Sequence, residues 1–170
     1  PSCRYDMKRM RQELPEVQTA IEDITRYFGT LDEDNFKAVI LNFLSICIFK
    51  GNIKDYHGVG EHGADIIGAV DRDNDPFGKF QIVHIQVKKG RISLNKWRKT
   101  LCGQLAEVFS PSTYPWETSD NNSRRILLIY SGKLTQPASD AISNWNRKVP
   151  IPVEVKSGRQ LAVLMVKQYK

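Results

Sequence analysis

Asp65, Gln86 and Lys88 are residue types that together suit metal-assisted hydrolysis of a phosphodiester. The carboxylate holds a hard divalent cation, and the amide oxygen of Gln86 and the main-chain carbonyl of Val87 add oxygen ligands. The lysine orients or helps deprotonate the attacking water. Glu61, four residues before Asp65, is a candidate auxiliary ligand, directly or through water. His62 beside it suits a phosphate better than magnesium, because hard cations prefer oxygen. His57, His62 and His84 lack the compact spacing of a zinc site. His84, two residues before Gln86 and of the same parity, reads as a hydrogen-bonded group beneath the site.

Something must hold these residues together, and the local pattern supplies a hairpin. From Phe80 to Lys88 the side chains alternate, with Val83, Ile85 and Val87 forming an apolar face and the other parity turning polar from His84 onward. Upstream, Ala64 to Val70 (ADIIGAV) is a second apolar run with Asp65 near its start, and the polar turn DRDNDPFG joins the two. That hairpin places Asp65 across from Gln86 and Lys88. Gly58, Gly60 and Gly63 spell G-x-G-x-x-G, but a strand rather than a helix follows, which excludes a dinucleotide fingerprint. Asp71, Asp73 and Asp75 begin like a calcium loop, yet Pro76 and Ile82 stand where that loop needs glycine and glutamate.

The pattern Asp65, then Gln86-x-Lys88, resembles the PD-(D/E)xK nucleases in the Q-x-K form of Mrr-like restriction endonucleases. The run G-x-G-E-x-G-A-D-I from Gly58 to Ile66 is similar to the turn that opens their catalytic core. Gly103-Gln104-Leu105 in the following helix, ILLIYSGKLTQPASDAI (Ile126 to Ile142) and VEVKSGRQLAVLM (Val153 to Met165) resemble that family's later elements in order. The likeness runs from about Asp34 to Lys167. It implies an α/β fold, restriction-endonuclease-like, of three α/β/α layers with a mixed central sheet of about five strands and two leading helices. It also implies Mg2+ as cofactor, with Mn2+ substituting, and DNA as partner in restriction or genome defence. Asp65, Gln86 and Val87 are then the metal ligands and Lys88 the catalytic lysine. Members often carry a glutamate directly after a phenylalanine of the first core helix; here Lys37 follows Phe36. Glu33, one turn earlier, is a candidate auxiliary ligand, although Thr30-x-x-Glu33 also reads as a capping box. Gln104 is a further candidate to approach the site.

Charge agrees with an anionic polymer as partner. The 170 residues carry a net charge of +6, and the sequence pI is near 9.3. Between Asp75 and Glu107 there is no acidic residue, while Lys79, Lys88, Lys89, Arg91, Lys96, Arg98 and Lys99 all fall there. We read Lys89, Arg91, Lys96 and Lys99, with His62, as the nucleic-acid-binding set. Cys3, Cys47 and Cys102 are odd in number and widely spaced, which argues against a disulfide framework and for a reducing, cytoplasmic setting. The richest apolar run, Ala38 to Phe49, is shorter than the roughly 20 residues of a membrane span. The charged start PSCRYDMKRMRQ is no signal peptide, and without an initiator Met the chain is open to being an excerpt of a longer protein.

The remaining elements read as packing. A helix is expected from Leu14 to Phe28 with Gly29 as its stop, and a second buries Phe36, Ile40, Phe43 and Leu44. A third runs from about Leu94 to Phe109. The segment Ser110 to Ser123 is a long loop carrying Tyr114 and Trp116, whose rings read as local packing, with stacking on unpaired bases as the alternative. Arg124 and Arg125 lead into a strand from Ile126, Thr135 caps the next helix, and a short strand (Pro152 to Val155) and helix (Arg159 to Lys167) close the chain. Residues 1–170 read as one nuclease domain, with 1–30 a leading helix and 31–167 the core. The function expected is a metal-dependent DNA endonuclease. The alternative is a catalytically inactive nucleic-acid-binding module of the same fold within a larger defence or repair protein, suggested by Lys37 and by the missing acid at Gln86. A homodimer would suit double-strand cleavage, yet no isolated apolar stripe marks an interface.

Overall fold

A computed structural model of the chain describes residues 2–50, 52–55, 64–69, 82–109 and 124–168, with side chains described from residue 15 onward except that of residue 54. The strands among them form one mixed sheet in the order β1-β2-β3-β4-β5. β1 (Ile53–Asp55), β2 (Ile66–Ala69) and β3 (Ile82–Lys88) pair antiparallel, whereas β3, β4 (Arg124–Tyr130) and β5 (Val153–Ser157) pair parallel. The change occurs at β3: antiparallel neighbours can be joined directly, whereas a parallel neighbour needs a crossover connection. Between β3 and β4 the crossover holds α3 (Leu94–Lys96), a π-helical turn (Trp97–Leu101), α4 (Cys102–Ala106) and a 3-10 turn (Glu107–Phe109). α5 (Gln136–Asn146) joins β4 to β5.

Helices cover both faces of the sheet, so the protein is α/β. On one face α1 (Ser2–Thr30), α2 (Glu33–Cys47) and α6 (Gly158–Gln168) bring Phe28, Phe36, Ile40, Leu44 and Leu161 onto Val83, Ile85, Val87, Leu127 and Ile129. On the other, Trp97, Leu101, Leu105 and Ile142 pack on Ile126, Leu128 and Val153. The alternation expected for β3 therefore holds on its apolar face. β4 is buried on both sides, as the unbroken run Ile126 to Ile129 requires of a central parallel strand.

Several local expectations are corrected. α1 does not begin at Leu14 or stop at Gly29: it runs from Ser2 through Pro15 to Thr30, and the hydroxyl of Thr19 donates to the Pro15 carbonyl at 2.9 Å. The capping box does not form. Thr30 Oγ1 donates to the Tyr27 carbonyl, and Asp32 is the N-cap of α2, its carboxylate accepting from the Asn35 N–H at 2.7 Å. That bond holds the Asp32 carboxyl below its ordinary pKa, and it releases Glu33 for another use. Thr135 occupies the N-cap of α5 without a side-chain capping bond, and Pro137 in the first turn leaves one fewer N–H for its hydroxyl to take. Arg124 and Arg125 are not a lead-in but the first residues of β4, both buried, and Arg125 forms a two-pronged ion pair with Glu154 of β5.

Two glycines are required by close approach. A Cβ on Gly132 would strike the backbone of Gly90 well inside 3.0 Å, where the chain leaves β4 and β3. A Cβ on Gly68 would lie 2.5 Å from two ring carbons of the buried Phe49. Gly68→Ala is therefore expected to cost about 1–3 kcal/mol, the usual penalty of overpacking, read from the urea midpoint. An unchanged midpoint would show that the Phe49 ring moves aside freely.

Candidate active site

The hairpin does what its pattern implies. Ile66 pairs with Ile85, so the next antiparallel step sets Asp65 against Gln86. Asp65 lies just before β2, its N–H donating to the Ile85 carbonyl at 2.9 Å. Its Oδ2 accepts from the Val87 N–H at 2.6 Å and from Gln86 Nε2 at 2.8 Å. The carboxylate thus takes the place of a strand partner beyond the end of β2. In an antiparallel ladder a residue that donates toward one neighbour also turns its C=O that way, so the Val87 carbonyl points to the same edge. Asp65 and Gln86 are both buried, at 8% and 2% exposure.

Lys88 follows on the same parity and meets a residue 55 positions away. Its Nζ lies 3.1 Å from Oε1 of Glu33, and Oε2 of Glu33 accepts from the Lys89 N–H at 2.9 Å. Burial pushes the Glu33 carboxyl up, but the Lys89 N–H, Lys88 and the charge of Lys96 together hold it below its ordinary pKa. Lys96, from α3, donates to the Lys89 carbonyl at 3.3 Å. Glu33, Lys88 and Lys96 are thus joined, through the main chain of Lys89, in one basic cluster around a single carboxylate where α2 begins and β3 ends.

Lys37, in the position where the resemblance expects an acid, is buried on α2 and pairs with Asp55 of β1 at 2.7 Å. A glutamate there would face Asp55 with like charge, so the departure has a structural reason. Asp55 carried no motif and was not foreseen. His84 is fully buried on β3 opposite Ile126, and burial together with the nearby Arg124 pushes its pKa down to about 3. Gln104 Oε1 is buried without a hydrogen-bond partner among the described residues. Of the basic set, Arg91 and Lys99 are exposed and Lys89 and Lys96 half-buried. Glu61, His62, the glycine turn, the Asp71–Asp75 turn, Tyr114 and Trp116 lie outside the described residues.

The donors gathered at the edge are hard oxygens, from Asp65, the Gln86 carboxamide and the Val87 carbonyl, and they fit a magnesium or manganese ion by type. Their formal charge is only one negative, and no group of three His, Cys, Asp or Glu side chains placed to hold a metal occurs among the described residues. Such a set fits a dication weakly. No protein-family model, curated protein or solved structure matches the chain. Among the described residues no helix is long and apolar enough to cross a membrane.

Proposed function

We propose that the protein is a divalent-metal-dependent DNA endonuclease of the restriction-endonuclease-like, Mrr-like kind. The observation that carries this reading is the bonding of Asp65 to Gln86 and to the Val87 N–H beside the end of β3, where Lys88 is the last residue. Asp65, Gln86 and the Val87 carbonyl would hold the cation, which polarises the phosphate and lowers the pKa of water when bound. Lys88 orients the attacking water, and Glu33 sets the position of its ammonium. Lys89, Arg91, Lys96 and Lys99 hold the phosphates of the strand. Supercoiled plasmid should be nicked or linearised with magnesium or manganese and left intact with EDTA; a protein that never cuts under any divalent ion defeats the proposal.

With one negative charge among the ligands, the free protein should bind magnesium only weakly, and DNA phosphate should tighten it. Calorimetry that finds micromolar magnesium affinity without DNA would contradict this ligand set.

The second reading is a nucleic-acid-binding module that does not cut. It is favoured by the engagement of both carboxylates, Asp65 with Val87 and Gln86 and Glu33 with Lys88 and Lys89, as clamps of the fold. DNA binding without cleavage in the plasmid assay selects it.

A further inference from the structure

A second feature lies on the sheet face that carries the α3 to α5 helices. There a pocket of about 260 Å³ is lined by Trp97, Arg98, Ala141, Asn144, Trp145 and Lys148. Its volume falls just under the roughly 300–1,000 Å³ of pockets for drug-sized ligands, which suits one ring system with a substituent. Trp145 is fixed from two sides, stacked on Phe109 at 5.6 Å and edge-on to Trp97 at 5.7 Å. The lining contains two cations and no acid, and neither the Arg98 nor the Lys148 side chain makes a hydrogen bond or ion pair among the described residues. Both are exposed, whereas Trp97 is buried and Trp145 half-buried.

The local backbone explains why an arginine opens onto this pocket beside a buried tryptophan. Trp97–Leu101 is a π-helical turn in which the Cys102 N–H donates to the Trp97 carbonyl. Such turns insert a residue into a helix and recur at functional sites. Here the wide turn buries Trp97 in the core and leaves Arg98 outside. Lys148 comes from the end of α5, where its N–H bonds to the Trp145 carbonyl.

We propose that this pocket binds a single nucleotide, its base against the half-buried Trp145 and its phosphate on Arg98 and Lys148. An aromatic wall offers any base a stacking surface without choosing its sequence. Arg98 and Lys148 supply the countercharge, and Arg98 in addition offers a planar fork of donors that matches phosphate oxygens. Asn144 adds an amide that can donate to or accept from a base edge. The same chemistry would take a free nucleotide or one unstacked nucleotide of a strand. The pocket does not depend on the proposed catalysis, and binding alone tests it.

The test uses tryptophan fluorescence of the whole chain carrying Trp116→Phe, so that Trp97 and Trp145 give the signal. Probes are dAMP, a short single-stranded oligodeoxynucleotide, and an oligomer of the same length that is abasic throughout. Saturable quenching is expected with dAMP or with the intact oligomer. It should weaken by at least about tenfold in the Arg98→Glu/Lys148→Glu double variant, with Arg98→Gln/Lys148→Gln falling between. Quenching by dAMP as well as the oligomer assigns the pocket to free nucleotides, and quenching by the oligomer alone assigns it to a strand. The proposal is overturned if neither probe quenches, if the abasic oligomer binds and quenches as the intact one does, or if both double variants bind like the parent.

Discussion

Asp65→Asn and Lys88→Met are each expected to lower magnesium-dependent cleavage by at least about a hundredfold while the protein stays folded. The choice of replacement follows from the geometry. Asp65 accepts the Val87 N–H at 2.6 Å in a buried setting, so alanine would orphan that donor, at a cost of about 1–3 kcal/mol. Asparagine keeps an acceptor oxygen of the same shape and removes only the charge. Methionine at 88 keeps the apolar stem of the lysine, and Glu33 retains the Lys89 N–H at 2.9 Å. Circular dichroism and the urea midpoint should therefore stay near those of the parent, while the single-turnover rate collapses. Cleavage that survives both substitutions would place the chemistry elsewhere in the chain.

Acid should destabilise the protein steeply, and His84 should account for much of the slope. Its folded-state pKa is held down near 3, first by burial and then by Arg124, whereas an unfolded histidine titrates near 6.5. Between those values the unfolded chain binds the extra proton. Stability is therefore fully present above about pH 6.5 and falls as the pH drops, at up to about 1.4 kcal/mol per unit. Over two or three units this is a large part of the roughly 5–15 kcal/mol that keeps a domain folded. Glu33, with its lowered pKa, drains stability in the same direction at still lower pH, so the histidine must be isolated by comparison. Urea unfolding in EDTA from pH 7 to pH 4 should show a flatter pH dependence for His84→Leu than for the parent. Parallel curves would mean that His84 takes up its proton in the folded state.

The parts of this architecture that could be read from the chain are those with a local cause. Period-two alternation around Ile85 and the matching run at Ile66 forced a hairpin, and antiparallel pairing then put Asp65 against Gln86. The parallel pairing of β3 with β4 is less local, yet the unbroken apolar run from Ile126 announced a buried strand. What stayed hidden was set by where helices come to rest. Nothing near Glu33 reveals that α2 begins beside the end of β3, and the capping-box pattern pointed its side chain the wrong way. Lys37 with Asp55, and Arg125 with Glu154, pair elements whose contact is decided by the packing of whole layers. The π-helical turn at Trp97 is equally silent, because the apolar spacing of Leu94, Trp97, Leu101 and Leu105 reads as an ordinary helix.

The bond from Asp65 to the Val87 N–H also bears on the history that such a chain can have. Side chains in a strand change face with every residue, so a slip of one position between β2 and β3 would turn the apolar set outward; Asp65 guards against that slip. Selection for a sound sheet therefore retains this aspartate whether or not the protein cuts. Lys88 has no comparable duty to the sheet, since Glu33 keeps a backbone donor without it. If the proposed nuclease activity were lost in a descendant of this chain, drift at position 88 would record it first, while the aspartate would persist through its bond to the Val87 N–H.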